Sequence, residues 1–488
     1  MDELYLGIDV GTTGTKTLLA DAQGNVLGAG YREYALNAYP DGRVEQNADD
    51  WLEAVMETVR TATAAVHDRS RIRALSLSTQ GASMLAVDGD FRPLGPVITW
   101  MDNRAADACD ALTEQLGAER LYRMSGWGAS ATLDAAKILW MRENAPEQYA
   151  AASFVSTLEY VNRFLTGQNV IDPTNASIRQ LYDITEKRWD PAVLEALGIG
   201  EERLPRVLPT GALVGTLTPA AAALLGLPEG VRVYNGAHDQ YCASLGCGAV
   251  SAGDALLSTG TTWVLLGVSD RPLFTESRIA PGIHPVDGLY GHIGSLVSAG
   301  CALKWWKEIV DGDYRAFDDA AASHRASARE LYFYPFVAGA GFPHKQRGEL
   351  TGTLTGLRLA HDRYDIALAL MEGVAFEART MLEELKRHGV EITELRVSGG
   401  AARSRVWCEI TAAVTGCRLW RMREAEAACM GAVMLACVGE GAHPSFAEAA
   451  RSMVNAEPLD PPASELQAFY EEKYAAYQER FPAYLALQ

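Results

Sequence analysis

The chain has 488 residues, of which 48% are hydrophobic and 22% are charged, and its formal net charge at pH 7 is −19. This length exceeds the size at which one hydrophobic core stops growing, so we expect two domains. The composition excludes a disordered chain, and the negative charge argues against nucleic acid or an anionic membrane as a partner, because phosphate groups attract basic surfaces.

The location of the protein is predicted from features that membrane and secreted proteins carry. No stretch reaches the roughly 18 apolar residues of a transmembrane helix, and the acidic N-terminus has no basic region followed by a long apolar one. The eight cysteines lack the spacing of a zinc site or a disulfide framework. We therefore expect a cytoplasmic protein whose cysteines are reduced and mostly buried.

The first elements in the chain are predicted to form an antiparallel meander. Residues 4–10 and 15–21 read as strands on either side of a Gly-Thr-Thr-Gly turn at 11–14, and a third strand begins at Val26. In a Walker loop or a dinucleotide-binding fingerprint the glycines lead into a helix instead. A strand, a glycine turn and a second strand therefore argue against both of those nucleotide folds.

This opening pattern occurs a second time. Residues 255–268 again place Gly-Thr-Thr between two apolar runs. We interpret the chain as two duplicated halves, residues 1–248 and 249–488, with the boundary in the small-residue segment 246–253. The two halves are expected to face a central cleft.

Between and after these hairpins, strands and helices alternate, which predicts the α/β class. The predicted elements are an amphipathic helix at 47–66, buried strands at 72–79, 231–237 and 395–397, a long helix at 366–385, a turn at Gly399–Gly400 before another helix, and a docked tail helix from Ser464. The aromatic stripe of the tail helix is expected to lie in the core.

The two hairpins carry residues that suit a phosphate group and a metal ion. Asp9 ends the first strand, where its carboxylate can hold Mg²⁺ directly or through water. Thr12 and Thr13 add hydroxyl donors beside glycine N–H groups, which can approach a ligand closely. A plain glycine hairpin with an exposed aspartate is the alternative, but the recurrence of Gly-Thr-Thr at 260–262 favours a phosphate clamp.

Asp239 is the candidate for acid–base chemistry. It follows an apolar strand and precedes a run of small residues, so we expect it at a strand–helix junction. A carboxylate there can accept the proton of a hydroxyl during phosphoryl transfer, although the same position suits a helix cap. His238 is expected to be a structural neighbour. Farther along, the turn at Gly399–Gly400 can let a flat base lie against the backbone, and Arg403 is either a base contact or a solvated side chain.

Taken together, these segments are similar to the FGGY carbohydrate kinase family, within the superfamily that also holds chaperones and actin. The resemblance spans nearly the whole chain. Both hairpins resemble the phosphate motifs of the family, and residues 352–372 follow its C-terminal signature. Residues 398–410 and 424–436 look like its adenosine-side glycine motif and the helix after it. In the N-terminal signature Lys137 fits, while Asp134 departs from the usual residue type, as does Thr132.

The resemblance implies two ribonuclease H-like domains, as in actin-like ATPases, and the transfer of a phosphate from ATP to a small sugar or polyol. It makes Asp239 the catalytic base and Asp9, with Asp239, the carboxylates that hold Mg²⁺. The implied contacts to the ATP phosphates are Gly11, Thr12, Thr13, Lys16, Gly260, Thr261 and Thr262, and those to adenosine are Gly399, Gly400 and Arg403.

The substrate is less sharply indicated. Residues 78–83 occupy the place of the family's substrate motif, but only Gln80 is kept. The segment 100–104 is similar to the WxDxR segment of xylulokinase-like members, whereas Asp239–Gln240 resembles the pair found in glycerol kinases. The predicted sugar contacts are Gln80, Trp100, Asp102, Asp239 and Gln240. We rank D-xylulose, converted to D-xylulose 5-phosphate, above glycerol, another polyol, another ketose or a sugar acid.

Two other classes share parts of this pattern. An actin-like or chaperone-like ATPase without sugar chemistry would carry both hairpins, but it would not need Asp239 or the segment 100–104. A catalytically silent sugar sensor is disfavoured because Asp9 and Asp239 are intact. The oligomeric state is open, with a homodimer as one expectation.

Overall fold

A computed structural model describes residues 3–344, 350–423 and 426–487. The chain folds into two compact units. The first comprises Met1–Val250, Ala280–Gly291 and Glu426–Val454, and the second comprises Ser251–Ile279, His292–Ala425 and Asn455–Gln488.

The strands and helices alternate along both units, as the α/β prediction requires. The strands are β1 (Leu4–Val10), β2 (Gly14–Asp21), β3 (Val26–Glu33), β4 (Asn37–Ala38), β5 (Val44–Gln46), β6 (Ile72–Thr79), β7 (Leu85–Val87), β8 (Val97–Ile98), β9 (Ser153–Val155), β10 (Val170–Ile171), β11 (Tyr182–Asp183), β12 (Arg188–Trp189), β13 (Arg206–Val207), β14 (Leu213–Thr216), β15 (Arg232–His238), β16 (Asp254–Thr259), β17 (Trp263–Ser269), β18 (Ala280–Ile283), β19 (Tyr290–Leu296), β20 (Tyr332–Tyr334), β21 (Thr353–Thr355), β22 (Glu394–Gly399), β23 (Arg418–Met422) and β24 (Ala456–Pro458). The helices are α1 (Ala48–Ala62), α2 (Ala106–Leu116), α3 (Ala118–Ser125), α4 (Asp134–Asn144), α5 (Pro146–Ala151), α6 (Thr157–Thr166), α7 (Pro173–Ile178), α8 (Pro191–Leu197), α9 (Pro219–Leu225), α10 (Asp239–Gly246), α11 (Gly300–Ile309), α12 (Tyr314–His324), α13 (Arg363–Arg387), α14 (Arg405–Thr415), α15 (Ala427–Glu440), α16 (Phe446–Met453) and α17 (Ser464–Leu485).

The first unit is built on a six-stranded sheet in the order β14–β15–β6–β1–β2–β3. Strands β1, β2 and β3 form the predicted antiparallel meander, while β6 runs parallel to both β1 and β15. Helix α1 packs closely on β3, because a Cβ at Gly30 would lie 2.3 Å from the main-chain oxygen of Thr58. Glycine is therefore required where this helix crosses the strand.

Each compact unit is built from more than one segment of the chain. Helix α15 belongs to the first unit, where its apolar residues are buried nearly all round. It approaches β1 so closely that a Cβ at Gly7 would lie 2.1 Å from the main-chain oxygen of Cys429. The motif at 424–436 was predicted to follow the adenosine-side turn, but its helical part packs on the first sheet; its first two residues, 424 and 425, lie outside the described residues.

The second unit repeats the strand plan of the first. Its sheet includes β19–β17–β16–β22–β23–β24 in that order. The antiparallel pair β16–β17 encloses the second Gly-Thr-Thr turn, and β22 runs parallel to β16, as β6 does to β1. The predicted tail helix is α17, and its aromatic stripe, represented by Tyr470, Tyr474 and Tyr477, is buried in the core as expected.

All eight cysteines are free, and all except the half-buried Cys301 are buried. Among the helices in the described ranges, none is both long and apolar enough to cross a bilayer.

Candidate active site

The candidate site of the first unit lies where three neighbouring parallel strands end. In the register of β1, β6 and β15, Val10 pairs with Thr79 and Thr79 pairs with His238. Asp9, Gln80 and Asp239 each lie within one residue of this row, so the structure brings these three predicted residues to one edge of the sheet. In open α/β sheets this edge, at the carboxyl ends of the strands, is where ligands bind.

Asp9 is a partly buried carboxylate in an unfavourable electrostatic setting. Burial, with a smaller contribution from the negative charge of Asp239, raises the pKa of Asp9 to about 7, against the opposing effects of a hydrogen bond from Ser78 and the charge of Lys16. The Ser78 Oγ donates that bond to Asp9 Oδ1 at 2.6 Å. The charge of Asp239 thus disfavours ionisation of Asp9, and the two carboxylates form a suitable oxygen donor set for a divalent cation.

Asp239 is the first residue of α10, and its side chain is 34% exposed. The N-cap position is His238, so Asp239 is not the helix cap that the sequence left as an alternative. The imidazole Nε2 of His238 lies 3.3 Å from Asp239 Oδ1, and the main-chain N–H of His238 donates to Thr174 Oγ1 at 2.8 Å. His238 is therefore a neighbour of the Asp239 carboxylate, as predicted.

Gly81 leaves the room that His238 needs. A Cβ at position 81 would lie 2.6 Å from Cδ2 of His238 and 3.0 Å from Cγ2 of Ile178. The loop after β6 and the junction before α10 are thus packed directly against each other. A larger residue at position 81 would displace the ring that lies beside Asp239.

The first Gly-Thr-Thr turn is held by hydrogen bonds to its own main chain. Gln46 Nε2 donates to the Thr12 carbonyl at 2.5 Å, and the Tyr34 main-chain N–H donates to the Thr13 carbonyl at 3.2 Å. The Tyr34 hydroxyl donates to the carbonyl of Gly11. The carbonyl oxygens of residues 11–13 therefore each accept a hydrogen bond from within the protein.

Lys16, one of the predicted phosphate contacts, lies on β2 opposite Asp9. Its Nζ makes an ion pair with Glu426 Oε2 at 2.7 Å. Both side chains are partly exposed, at 40% and 33%. The ammonium group of Lys16 therefore already has a carboxylate partner in this structure.

The predicted sugar-side residues Trp100 and Asp102 differ in how accessible they are. Trp100 is 44% exposed, and its Nε1 donates to Thr12 Oγ1 at 2.9 Å, so it contacts the first Gly-Thr-Thr turn. Asp102 is fully buried, and its two oxygens accept four hydrogen bonds, one from the Val44 N–H and three from Arg104. Burial opposes the ionised form, but these donors hold the pKa of Asp102 below its usual value. Both of its oxygens are thus engaged within the protein.

Two residues that the sequence did not single out as site residues hold this region together. Gln46 connects the first Gly-Thr-Thr turn to Gln80, since it donates to the Thr12 carbonyl and Gln80 Nε2 donates to Gln46 Oε1 at 2.9 Å. Lys137, seen in the sequence only as a signature residue, is buried and donates to the carbonyls of Ala82 at 2.6 Å and Ile98 at 3.2 Å. The only sequence signal for either residue is the family signature around Lys137.

In the second unit, the Gly-Thr-Thr turn and the predicted adenosine-side turn are brought together. Thr259 pairs with Gly399 in the parallel register, and its carbonyl accepts the Gly400 N–H at 2.5 Å. Its hydroxyl accepts the Ala401 N–H at 3.0 Å. Gly399 has a φ of +94°, and a Cβ there would lie 2.4 Å from the Thr259 carbonyl oxygen. Glycine is therefore needed at this junction.

The second Gly-Thr-Thr turn also contacts α11 and the segment before that helix. The N-terminus of α11 lies against the turn, because a Cβ at Gly300 would be 2.2 Å from the Gly260 carbonyl oxygen. The N–H of Cys301 donates to the Thr261 carbonyl at 3.0 Å, and the Thr262 hydroxyl donates to the Val297 carbonyl at 3.3 Å. Arg403 is exposed at the end of a short 3-10 turn after β22.

Comparisons with known proteins agree with a chain of two halves that each begin with a Gly-Thr-Thr hairpin. The N-terminal domain model of the FGGY family of carbohydrate kinases matches residues 4–246, and its C-terminal domain model matches residues 255–440. A xylulose kinase of Staphylococcus epidermidis is 27% identical over 483 residues, which cover 98% of this chain and 96% of that protein. An L-xylulose/3-keto-L-gulonate kinase of Escherichia coli is 28% identical over 497 residues, which cover 99% and 97%.

A solved structure supports the two-domain α/β fold. The crystal structure of a xylulose kinase from Rhodospirillum rubrum matches this chain with a TM-score of 0.90 at 26% identity, over 99% of this chain and all of that one. The two family models together account for most of the residues, and each matches one of the two hairpin-led halves. The chain belongs to the FGGY family of carbohydrate kinases and is an ATP-dependent sugar phosphotransferase.

Proposed function

We propose that this enzyme phosphorylates D-xylulose to D-xylulose 5-phosphate, with Asp239 as the general base. The observation that carries the proposal is the position of Asp239, which is partly exposed at the strand edge that also holds Asp9 and Gln80. The similarity over nearly the full chain to a protein named xylulose kinase supports the choice of sugar. The segment 100–104, which resembles that of xylulokinase-like members, supports it as well.

In the proposed step, the Asp239 carboxylate accepts the proton of the sugar hydroxyl. The hydroxyl oxygen forms a bond to the γ-phosphorus of ATP while the bond to the bridging oxygen breaks, and ADP leaves with that electron pair. Asp239 lies in the first turn of α10, directly after the end of β15. His238 limits the rotation of the carboxylate from one side.

We further propose that Asp9 and Asp239 hold Mg²⁺. The fit rests on the donor set, because the two carboxylates are hard oxygen ligands and the Asp239 charge already disfavours ionisation of Asp9. When bound, Mg²⁺ would neutralise the negative charge of the ATP phosphates. The role of the protein is to keep both carboxylates at one edge of the sheet.

The proposed nucleotide contacts follow the two turns. Gly11, Thr12 and Thr13 would offer N–H and hydroxyl donors to phosphate oxygens, as would residues 260–262 of the second unit. The glycines of 399–400 would admit the adenosine, with Arg403 beside it. Lys16 and Gln240 complete the proposed set, Lys16 at the phosphates and Gln240 at the sugar.

The charges around the site favour an uncharged sugar over a sugar acid. Arg104 pairs with Asp102 and Glu45. The ammonium of Lys137 is occupied by two main-chain carbonyls. A substrate carboxylate would have to compete with these partners for a cation, whereas a ketose needs only hydrogen-bond donors and acceptors.

The substrate can be tested by measuring ADP release with D-xylulose, L-xylulose, 3-keto-L-gulonate, D-gluconate and glycerol in parallel. We expect the highest kcat/KM with D-xylulose, and phosphorus NMR of the product should place the phosphate on O5. A higher kcat/KM with a sugar acid would contradict the charge argument. If no compound accelerates ADP release, the proposed substrate class is wrong.

A further inference from the structure

A chain of hydrogen bonds leads from the first Gly-Thr-Thr turn, the proposed phosphate turn at residues 11–14, to the loop after β6. It passes through two glutamine side chains. Gln46 Nε2 donates to the Thr12 carbonyl at 2.5 Å, and Gln80 Nε2 donates to Gln46 Oε1 at 2.9 Å. Both glutamines are almost fully buried, with 1% and 2% of their surface exposed. The main-chain N–H of Gln80 donates to the Val10 carbonyl at 3.0 Å, which anchors the second glutamine to β1.

The direction of this chain is set at its first member. A main-chain carbonyl can only accept, so Gln46 must turn its NH₂ group toward Thr12. Its oxygen then faces Gln80, which must in turn present its own NH₂ group. The remaining group of Gln80, Oε1, is therefore an acceptor, and the orientation of its amide is determined by a carbonyl of the phosphate turn.

The acceptor at the end of this chain has no donor within the described part of the chain. Gln80 Oε1 is buried and makes no hydrogen bond there, and Gln240 Oε1, one residue after Asp239, is in the same situation. Buried amide oxygens are normally paired, so an unpaired one beside a proposed substrate site indicates a donor that arrives with the ligand. Because Gln80 Oε1 is covered, the donor reaches it only when a neighbouring group shifts.

We propose that Gln46 is a positioning residue that orients the Gln80 amide to accept a hydrogen bond from a sugar hydroxyl. Through Gln46, the conformation of the Thr12 turn and the recognition of the sugar depend on each other. The proposal rests on the proposed function, since it requires the sugar to bind beside Gln80. It also predicts that the substrate is recognised at this point by a hydroxyl hydrogen and not by an acceptor.

The substitution Gln46→Glu tests the relay because its effect depends on pH. When the introduced carboxyl group is protonated, it can donate to the Thr12 carbonyl and accept from Gln80, as the amide does. The carboxylate cannot donate to Thr12, and repulsion from that carbonyl oxygen moves it out of line with the Gln80 amide. Burial raises the pKa of a glutamic acid at this position above its usual value. The charged groups on β5 and the segments bonded to it are Asp41, Arg43, Glu45, Asp102 and Arg104, and they are paired among themselves.

We expect the variant to have a sugar KM close to that of the wild type at pH 6. As the pH rises to 8, the KM ratio of variant to wild type should increase roughly tenfold, the size expected for a lost hydrogen bond to a buried group. The ratio of the ATP KM values should change much less. A sugar KM that follows the wild-type profile across this range would overturn the inference while leaving the proposed function intact.

Gln180→Glu is a matched control. Gln180 is 1% exposed and donates through Nε2 to the Trp127 carbonyl at 3.0 Å, outside the relay. The control introduces a buried carboxyl group into the same unit, so its sugar KM should show no added pH dependence. If the control changes as Gln46→Glu does, the effect comes from general destabilisation and the relay is refuted.

A second test does not depend on the folding of the glutamate variant. Methionine matches glutamine in shape but makes no comparable hydrogen bonds, so Gln46→Met, Gln80→Met and the double variant form a cycle. If Gln46 acts through Gln80, kcat/KM of the double variant should equal that of Gln80→Met. Losses that multiply independently would mean that Gln46 has no role through Gln80. If wild-type enzyme itself phosphorylates no sugar, the proposed function fails before the relay is tested.

Discussion

The replacement Lys137→Met should produce a pH-dependent change in stability whose size follows from the burial of the ammonium group. Lys137 is fully buried, and burial lowers its pKa from 10.5 to about 8, against the partial opposition of Asp134 and Asp102. This lowering corresponds to roughly 3 kcal/mol of destabilisation of the charged form. Its two hydrogen bonds to the Ala82 and Ile98 carbonyls contribute about 1–3 kcal/mol each in the other direction.

At pH 7 the two effects of the substitution therefore oppose each other. The variant should lie within about 3 kcal/mol of the wild type in free energy of unfolding. Between pH 8 and 10.5 the unfolded lysine keeps its proton while the folded one loses it, so wild-type stability rises with pH in that window. Relative to the methionine variant, the wild type should gain about 2 kcal/mol between pH 7 and pH 9.5.

Urea unfolding of both proteins at the two pH values measures this gain, because groups other than Lys137 contribute equally to both proteins. Lys187→Met, at an exposed position of the same unit, is the control and should show no such gain. A stability difference between Lys137→Met and wild type that is the same at pH 7 and pH 9.5 would refute the reasoning. It would mean that Lys137 keeps its proton at both pH values.

Three further substitutions test the proposed site. Asp9→Asn should raise the Mg²⁺ concentration for half-maximal activity roughly tenfold or more, measured by metal titration of ADP release; an unchanged requirement would exclude Asp9 as a ligand. Gly81→Ala should lower stability by about 1–3 kcal/mol and reduce kcat, because the new methyl group would displace His238; a variant with normal kcat would show that the His238 position is unimportant. Gly399→Ala should raise the KM for ATP far more than the KM for sugar, since the Cβ would meet the Thr259 carbonyl at 2.4 Å; equal effects on both would contradict the nucleotide assignment.

The parts of the site that sequence could predict are those written in contiguous residues. The two Gly-Thr-Thr turns, the strands that flank them and the strand–helix junction at Asp239 are all local patterns, and the structure has them at the expected residues. The convergence of Asp9 and Asp239 follows from their places at the ends of strands that prove to be parallel neighbours of β6. Their roles in catalysis remain proposals.

The parts that sequence could not predict depend on long-range packing. Gln46 lies 34 residues from both Thr12 and Gln80, and nothing around it indicates a partner. Asp102 was predicted to face the sugar, but sequence does not reveal that Arg104 and the Val44 N–H occupy both of its oxygens. These contacts appear only once the register and the loops are known.

The position of helix α15 depends on long-range packing as well. Helix α15 lies within the second half of the chain, residues 249–488, yet its apolar surface is buried against β1 and α10 of the first unit. Glycines at the crossing make this possible, since a Cβ at Gly431 would lie 1.8 Å from the Cys242 carbonyl oxygen. An apolar helix in a sequence reveals that it is buried, but not which sheet it is buried on.

The central claim, that Asp239 is the base of a sugar kinase, is tested most directly by the turnover of Asp239→Asn with saturating ATP and D-xylulose. The substitution keeps the shape of the side chain but removes its ability to accept the proton and hold a cation. We expect kcat to fall by about 10²- to 10⁴-fold, with ATP affinity measured by calorimetry changing little. Turnover close to that of the wild type would contradict the account.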